Sequence, residues 1–192
     1  MAKSGLTVLG IAGSLRRASY NRGLLRAAIE LAPEGLVIEP YEIGDLPHYS
    51  EDLDVAGGPP AAQKLQSAIR AADALLIATP EYNYGLPGAL KNAIDWASRP
   101  PNDHALRRKP VAIMGASMGM GGTIRAQLAL RQTLLFTECY CLLKPEVCVA
   151  GAMSRFDASG TLIDEESREY VGQLLEALAD WTLKLKAAGL AR

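Results

Sequence analysis

Apolar runs rich in β-branched residues alternate with amphipathic segments along the whole chain, and this alternation constrains the fold more than any other feature. Five runs have the length and composition of buried strands. Each is followed by a segment whose apolar residues recur at helical spacing. Strands are predicted at 6–12, 36–43, 73–79, 109–115 and 141–149, and helices at 20–31, 61–72, 87–98, 123–136 and 164–188. Such an order is typical of an α/β protein with a parallel sheet covered by helices on both faces.

The length of the chain fits one domain with a substantial core. Its 192 residues contain no internal repeat and no low-complexity linker, and the longest predicted loop covers residues 44–60. Hydrophobic residues make up 49% and charged residues 21%, the balance of a folded globular protein. We therefore predict a single domain over residues 1–192.

Charge and N-terminal sequence exclude several classes of partner. The formal net charge is −1, so bulk electrostatics favours neither nucleic acid nor an anionic membrane. The N-terminal sequence MAKSGLTVLGIAG holds one lysine before a short apolar run. A membrane span needs roughly 20 apolar residues, and a signal peptide needs a longer apolar stretch with a cleavage site. The chain is expected to be cytoplasmic, without membrane or nucleic-acid partners.

Three cysteines lie close together, and they allow two interpretations. Cys139, Cys141 and Cys148 could belong to a metal site, but no histidine accompanies them at a ligand spacing. Cys148 lies in the apolar run PEVCVAG, which favours packing as a small hydrophobe. We therefore predict no metal site.

The loop after the first strand combines glycine, hydroxyls, an amide and arginines. Its sequence GSLRRASYNRG places Ser14, Arg16, Ser19 and Asn21 before and at the start of a helix, whose free N–H groups attract an anion. The Walker pattern and the G-x-G-x-x-G dinucleotide pattern are both absent from it. Two interpretations remain open: a cradle for a phosphate monoester, or ordinary helix capping by Ser19 and Asn21.

Two further loops follow strands that end at the same edge of the predicted sheet. TPEYNYGLPGALKNAIDW follows the third strand and offers two tyrosines, an asparagine and stiffening prolines, whereas a bland surface turn is the alternative. GASMGMGGTIRAQ follows the fourth strand, and its glycines allow a ligand to approach the backbone closely. Ligands of parallel sheets bind beyond these strand ends. The three loops together predict a planar cofactor with a phosphate tail, which describes FMN.

These loops resemble the NADPH-dependent FMN reductase family of the flavodoxin-like superfamily, whose members include reductases of quinones, chromate, azo dyes and free flavin. The resemblance covers the chain from Leu6 to about Val149. It implies a flavodoxin-like α/β fold with a five-stranded parallel sheet in the order 2-1-3-4-5. It also implies bound FMN, NADPH or NADH as electron donor, and small-molecule acceptors. The physiological acceptor and the preferred donor stay open.

The resemblance assigns cofactor-binding roles to three groups of residues. Residues for the FMN phosphate and ribityl chain are Ser14, Arg16, Ser19 and Asn21. Residues that line the isoalloxazine are Pro80, Glu81, Tyr82, Asn83 and Tyr84. The segment 117–122 approaches the flavin from the other side with Ser117, Gly119, Gly121 and Gly122. Related proteins are homodimers or homotetramers, which places the helices from Pro87 and Thr123, with Arg125, at an interface.

No side chain is expected to act as nucleophile or general acid, because the flavin carries the chemistry. His48 and His104 lie in predicted loops without a partner and are interpreted as surface residues. Two alternatives from other classes remain. One is an electron carrier of the flavodoxin type, against which the small net charge speaks because carriers are strongly acidic. The other is a flavin-free binding domain.

Overall fold

The computed structural model describes residues 5–191, and within them a parallel sheet forms the centre of the molecule. Its strands begin and end close to the predicted bounds. They are β1 (Leu6–Ala12), β2 (Leu36–Tyr41), β3 (Ala74–Ala78), β4 (Pro110–Ala116), β5 (Tyr140–Cys141) and β6 (Val147–Val149).

The strand order is β2-β1-β3-β4-β5, with β6 also paired to β4, and every pairing is parallel. Val8 lies opposite Ala74 and Leu75 opposite Val111, which fixes the register of the three central strands. The predicted order 2-1-3-4-5 is confirmed. Because the chain leaves β1 towards β2 on one side and passes from β3 to β4 on the other, the order reverses between β1 and β3.

Helices cover both faces of the sheet. They are α1 (Tyr20–Glu30), α2 (Pro60–Ala71), α3 (Gly88–Ala97), α4 (Ile124–Phe136), α5 (Ala152–Arg155) and α6 (Glu165–Ala187). No helix within residues 5–191 is long and apolar enough to cross a bilayer.

The two cores follow from the alternation of side chains along each strand. In β3, whose five residues are all buried, Leu76 packs with α1 and α6 on one face. Leu75 and Ile77 pack with α2, α3 and α4 on the other face. A continuous apolar run is therefore required here, since both sides of the strand face a helix layer.

The predicted fifth strand is divided in two. β5 pairs with the start of β4 at Pro110 and Val111, and β6 pairs with its end from Met114 to Ala116. Pro145 lies between the two strands and has no N–H to donate to a ladder, so the chain leaves the sheet there. The adjoining Leu143 is 74% exposed. The one-turn helix α5 and a short 3-10 turn at Glu51–Leu53 were also not predicted.

The cysteines lie in and around the divided strand. Cys139 and Cys141 pack against the core beneath α2, α3 and α4, and Cys148 is in β6. Burial raises the pKa of the Cys139 thiol to about 12 and that of Cys141 to about 11. Both therefore remain neutral thiols at physiological pH.

His104 is buried, in contrast to the predicted surface position. Only 5% of the residue is exposed, and among the described residues its Nδ1 atom finds no hydrogen-bond partner. Burial lowers the pKa of His104 below its usual value because the imidazolium would lose its hydration. The interpretation of His104 as a surface residue is wrong, whereas His48 is exposed.

The buried imidazole should make the protein less stable in acid. The unfolded chain takes up a proton at this histidine as the pH falls through about 6.5, whereas the folded protein does so only at lower pH. The free energy of unfolding therefore falls below about pH 6.5. We expect His104→Leu to lose less stability than the wild type between pH 7 and pH 5 in urea unfolding. His48→Asn serves as the exposed control, and identical pH profiles for all three proteins would contradict the assignment.

Candidate functional site

A cavity lies beyond the carboxyl ends of β1, β3 and β4, at the point where the strand order reverses. Its volume is about 490 Å³, within the range of small-molecule sites. Residues from all three loops line it: Ser14, Arg16, Ser19, Tyr20, Asn21, Pro80, Glu81, Tyr82, Ala116, Ser117 and Met118. The parallel topology therefore brings together the three loops that the sequence singled out.

Hydroxyl and guanidinium groups line the cavity beside the start of α1. Ser14 and Ser19 are buried at the start of α1, and Arg16 extends over the ring of Tyr20 at 5.6 Å from its centroid. The Ser19 hydroxyl accepts a hydrogen bond from the Asn21 N–H at 3.2 Å, so it does cap the helix. The remaining first-turn N–H groups and the helix dipole favour negative charge at this end of α1.

Asn21 has a second task inside the fold. Its Nδ2 donates to the Ala116 carbonyl and its Oδ1 accepts from the Ala116 N–H, both at 2.9 Å. This reciprocal pair ties α1 to the end of β4. The side-chain amide and the backbone N–H of Asn21 thus both have partners within the protein. The predicted contact between Asn21 and a phosphate or ribityl group stays a prediction.

The loop after β3 makes a tight turn at the cavity wall. Tyr82 and Gly85 exchange backbone hydrogen bonds of 3.0 and 2.9 Å, and the two residues between them have positive φ angles, 49° for Asn83 and 65° for Tyr84. Asparagine tolerates this conformation well, whereas tyrosine adopts it rarely. The Tyr82 hydroxyl lies 3.1 Å from Ser14 Oγ and joins this loop to the first one. Asn83 and Tyr84 themselves do not line the cavity.

Glu81 is directed towards α4. Its carboxylate accepts from the N–H groups of Arg125 and Ala126 at 3.0 and 3.2 Å and pairs with the Arg125 guanidinium at 3.2 Å. The same guanidinium lies 4.0 Å from the centroid of the Tyr84 ring. Glu81 therefore reaches the cavity wall while its charged atoms hold another element.

The glycine-rich loop after β4 contributes less to the cavity than predicted. Ser117 lines it, while Gly119, Gly121 and Gly122 do not. Gly122 has a φ of 56°, and a Cβ there would lie 2.9 Å from the backbone of Cys148. Packing against β6 thus explains this glycine without a ligand.

Three lining residues were absent from the predicted set. Tyr20, Ala116 and Met118 all line the cavity. Tyr20 is the first residue of α1 and contacts Phe156 at 5.2 Å between ring centroids. In the sequence, Tyr20 adjoins the loop rich in hydroxyl groups and Met118 adjoins Ser117. These positions could have indicated that both residues line the cavity.

Comparison with known proteins gives a consistent result. The family model described as NADPH-dependent FMN reductase matches residues 6–154. An NAD(P)H-dependent FMN reductase of Pseudomonas aeruginosa is 52% identical over 181 residues, which cover 94% of this chain and 97% of that protein. A 2-hydroxy-1,4-benzoquinone reductase of a Burkholderia species is 40% identical over 176 residues, 92% of this chain and 96% of that protein.

A solved structure extends the similarity to three dimensions. The flavoenzyme NAD(P)H:(acceptor) oxidoreductase of Paracoccus denitrificans superposes with a TM-score of 0.84 at 36% identity. The match covers 93% of this chain and 98% of that one.

Proposed function

The chain belongs to the NADPH-dependent FMN reductase family, and we propose that its cavity binds FMN and that the protein passes electrons from NADPH or NADH through it to small acceptors. The family predicted from the loops is thereby confirmed. The observation that carries the proposal is the cavity itself, which combines an anion-binding end with an aromatic wall at the topological switch point.

The residues present fit FMN by their chemistry. The phosphate would lie at the N-terminus of α1, where Ser14, Ser19 and Arg16 offer hydroxyl and guanidinium donors. Pro80 and Tyr82 form an apolar wall for a flat ring, and Ser117 and Met118 close the opposite side. We propose each of these contacts for the residue named.

When bound, FMN supplies the redox chemistry by accepting a hydride equivalent from the nicotinamide and giving electrons to the acceptor. The protein binds and orients the reactants. Backbone N–H groups in the loops can stabilise negative charge that develops on the ring. Tyr82 is 50% and Met118 is 66% exposed, so the mouth of the cavity is open to a second flat molecule. No nucleophilic or acid–base side chain is required.

Quinones are the acceptors that we propose first, because several relatives are named quinone reductases or quinone oxidoreductases. Quinone reductases of Pseudomonas putida and of plants match this chain over nearly its full length at 42–44% identity. An open mouth is chemically permissive, so free flavin, chromate and azo compounds would be reduced as well. An electron carrier without nicotinamide-dependent activity is the alternative, and the net charge of −1 and the reductase relatives oppose it.

An absorption spectrum tests the proposal directly. The purified protein is mixed with FMN, separated from free flavin, and then mixed anaerobically with NADPH or NADH. We expect bound flavin whose visible bands bleach within seconds, with benzoquinone restoring them. Bound flavin that stays oxidised would support the carrier, and no bound flavin would overturn the proposal.

We also propose that the protein self-associates and that it is cytoplasmic. The exposed side of α4 carries Ile124, Leu128, Leu135 and Phe136, which are 47%, 60%, 77% and 88% exposed. Such a stripe supports a homodimer or homotetramer formed through α4 and α3, and light scattering showing a monomer at high concentration would refute it.

The need for nicotinamide cofactors supports a cytoplasmic location, which cell fractionation would check.

A further inference from the structure

The helix α4 begins beside the cavity without a cap from its own sequence. Thr123 precedes the helix, but its side chain makes no capping hydrogen bond. The hydroxyl instead accepts from Gln127 Nε2 at 3.1 Å, and the residue is fully buried. The Ile124 N–H donates to the Gly121 carbonyl at 3.2 Å, whereas the N–H groups of Arg125 and Ala126 need an acceptor from elsewhere.

Glu81, in the loop after β3, provides that acceptor. It is separated from α4 by more than 40 residues in sequence, yet its carboxylate accepts from the N–H groups of Arg125 and Ala126. Only 11% of its side chain is exposed, so the contact is partly shielded from water. A carboxylate at this end of a helix is also favoured by the dipole.

Arg125 extends the same tie to the turn after β3. Its guanidinium pairs with Glu81 and lies over the ring of Tyr84, a residue held at a positive φ angle. One arginine thus contacts both Glu81 and the tip of the turn. The Arg125 side chain thus fixes the start of α4 to the loop after β3, residues 80–85, which we call the aromatic loop.

We propose that Glu81 is a positioning residue that caps α4 across the cavity, and that this tie holds the aromatic loop and the glycine-rich loop at the spacing required by the flavin. The inference rests on the proposed function, because it assigns a task within the FMN site. Glu81 acts through the loops that it joins, while its charged atoms stay on α4.

The physical basis is preorganisation. Ser117 and Met118 line the cavity from the loop before α4, and Pro80 and Tyr82 line it from the loop after β3. When the tie is removed, both loops gain freedom that binding must then restrict, and affinity falls accordingly. Removal of the tie should also make the surroundings of the flavin ring less ordered.

The test compares Glu81→Ala and Glu81→Gln with Asp164→Ala. Asp164 is a matched control because it caps α6 through the Ser167 N–H at 2.9 Å and also pairs with an arginine, Arg155, yet does not line the cavity. Each apoprotein is checked by circular dichroism and thermal unfolding. The FMN dissociation constant and the fine structure of the visible flavin bands are then measured.

We expect Glu81→Ala to raise the FMN dissociation constant at least tenfold and to make the flavin spectrum more like that of free FMN. Glu81→Gln, whose amide oxygen can still accept an N–H, should lie between this variant and wild type, and it remains informative if the alanine variant does not fold. Asp164→Ala should lower the melting temperature but leave the dissociation constant within twofold of wild type.

Two results would overturn the inference while leaving the proposed function intact. One is wild-type affinity and spectrum in both Glu81 variants. The other is an equal loss of affinity in Asp164→Ala, which would indicate an effect of general stability. Failure of the wild-type protein to bind FMN is a different result, and it would remove the proposed function itself.

Discussion

Replacing Ser14 and Arg16 together with alanine should give a folded protein that purifies almost without flavin. Both side chains line the cavity, and we propose that they bind the FMN phosphate. Hydrogen bonds to a charged group contribute about 2 kcal/mol each, so losing two should weaken FMN binding about a thousandfold. Folding should survive, because Arg16 is exposed with its guanidinium over the Tyr20 ring. The Ser14 hydroxyl loses two hydrogen bonds, one with the Tyr82 hydroxyl and one accepted from the Arg16 N–H.

The flavin content after purification and the dissociation constant of added FMN measure this effect. Arg17→Ala is the matched control, since Arg17 is exposed beside Arg16 but does not line the cavity. It should keep affinity within a few-fold of wild type and so separate a direct contact from a general loss of positive charge. A double variant that retains its full complement of flavin would show that the phosphate assignment is wrong.

The layered fold could be predicted because its signals are local. A run such as Ala74–Ala78 is apolar throughout, and only a strand covered on both faces requires that pattern. The division of the fifth strand was missed although Pro145 was visible in the sequence, because the flanking apolar residues suggested one continuous run. The burial of His104 had no local signal, since it depends on how its loop packs.

The position of the site could also be predicted, whereas the partners of its side chains could not. Strand ends and helix starts place Ser14, Ser19 and Tyr82 at one edge of the sheet. The bonds from Asn21 to Ala116 and from Glu81 to α4 join segments far apart in sequence. No sequence pattern records such a contact, because it depends on the distance between two loops after folding.

At Gly115, too, the position could be predicted from the sequence but the contacts could not. These contacts lead us to expect a second substitution with a large effect. The sequence predicts it as the last residue of the fourth strand, where the glycine-rich segment begins, and in the structure it lies in β4 opposite Cys148. A Cβ there would be 2.0 Å from Thr123 Oγ1 and 2.4 Å from the Thr79 carbonyl oxygen. That carbonyl belongs to the backbone at the end of β3 and cannot rotate away, so the strands or α4 must move.

Gly115→Ala should therefore lower the free energy of unfolding by about 3 kcal/mol and weaken FMN binding, since Thr123 precedes the helix beside the cavity. Gly172→Ala makes the same chemical change within α6, where a Cβ has no neighbour within 4 Å. It should stabilise the protein by about 1 kcal/mol, because alanine favours the helix over glycine. Urea unfolding of both variants should show changes of opposite sign in the free energy of unfolding. A Gly115→Ala protein as stable as wild type would show that close packing does not require glycine at the end of β4.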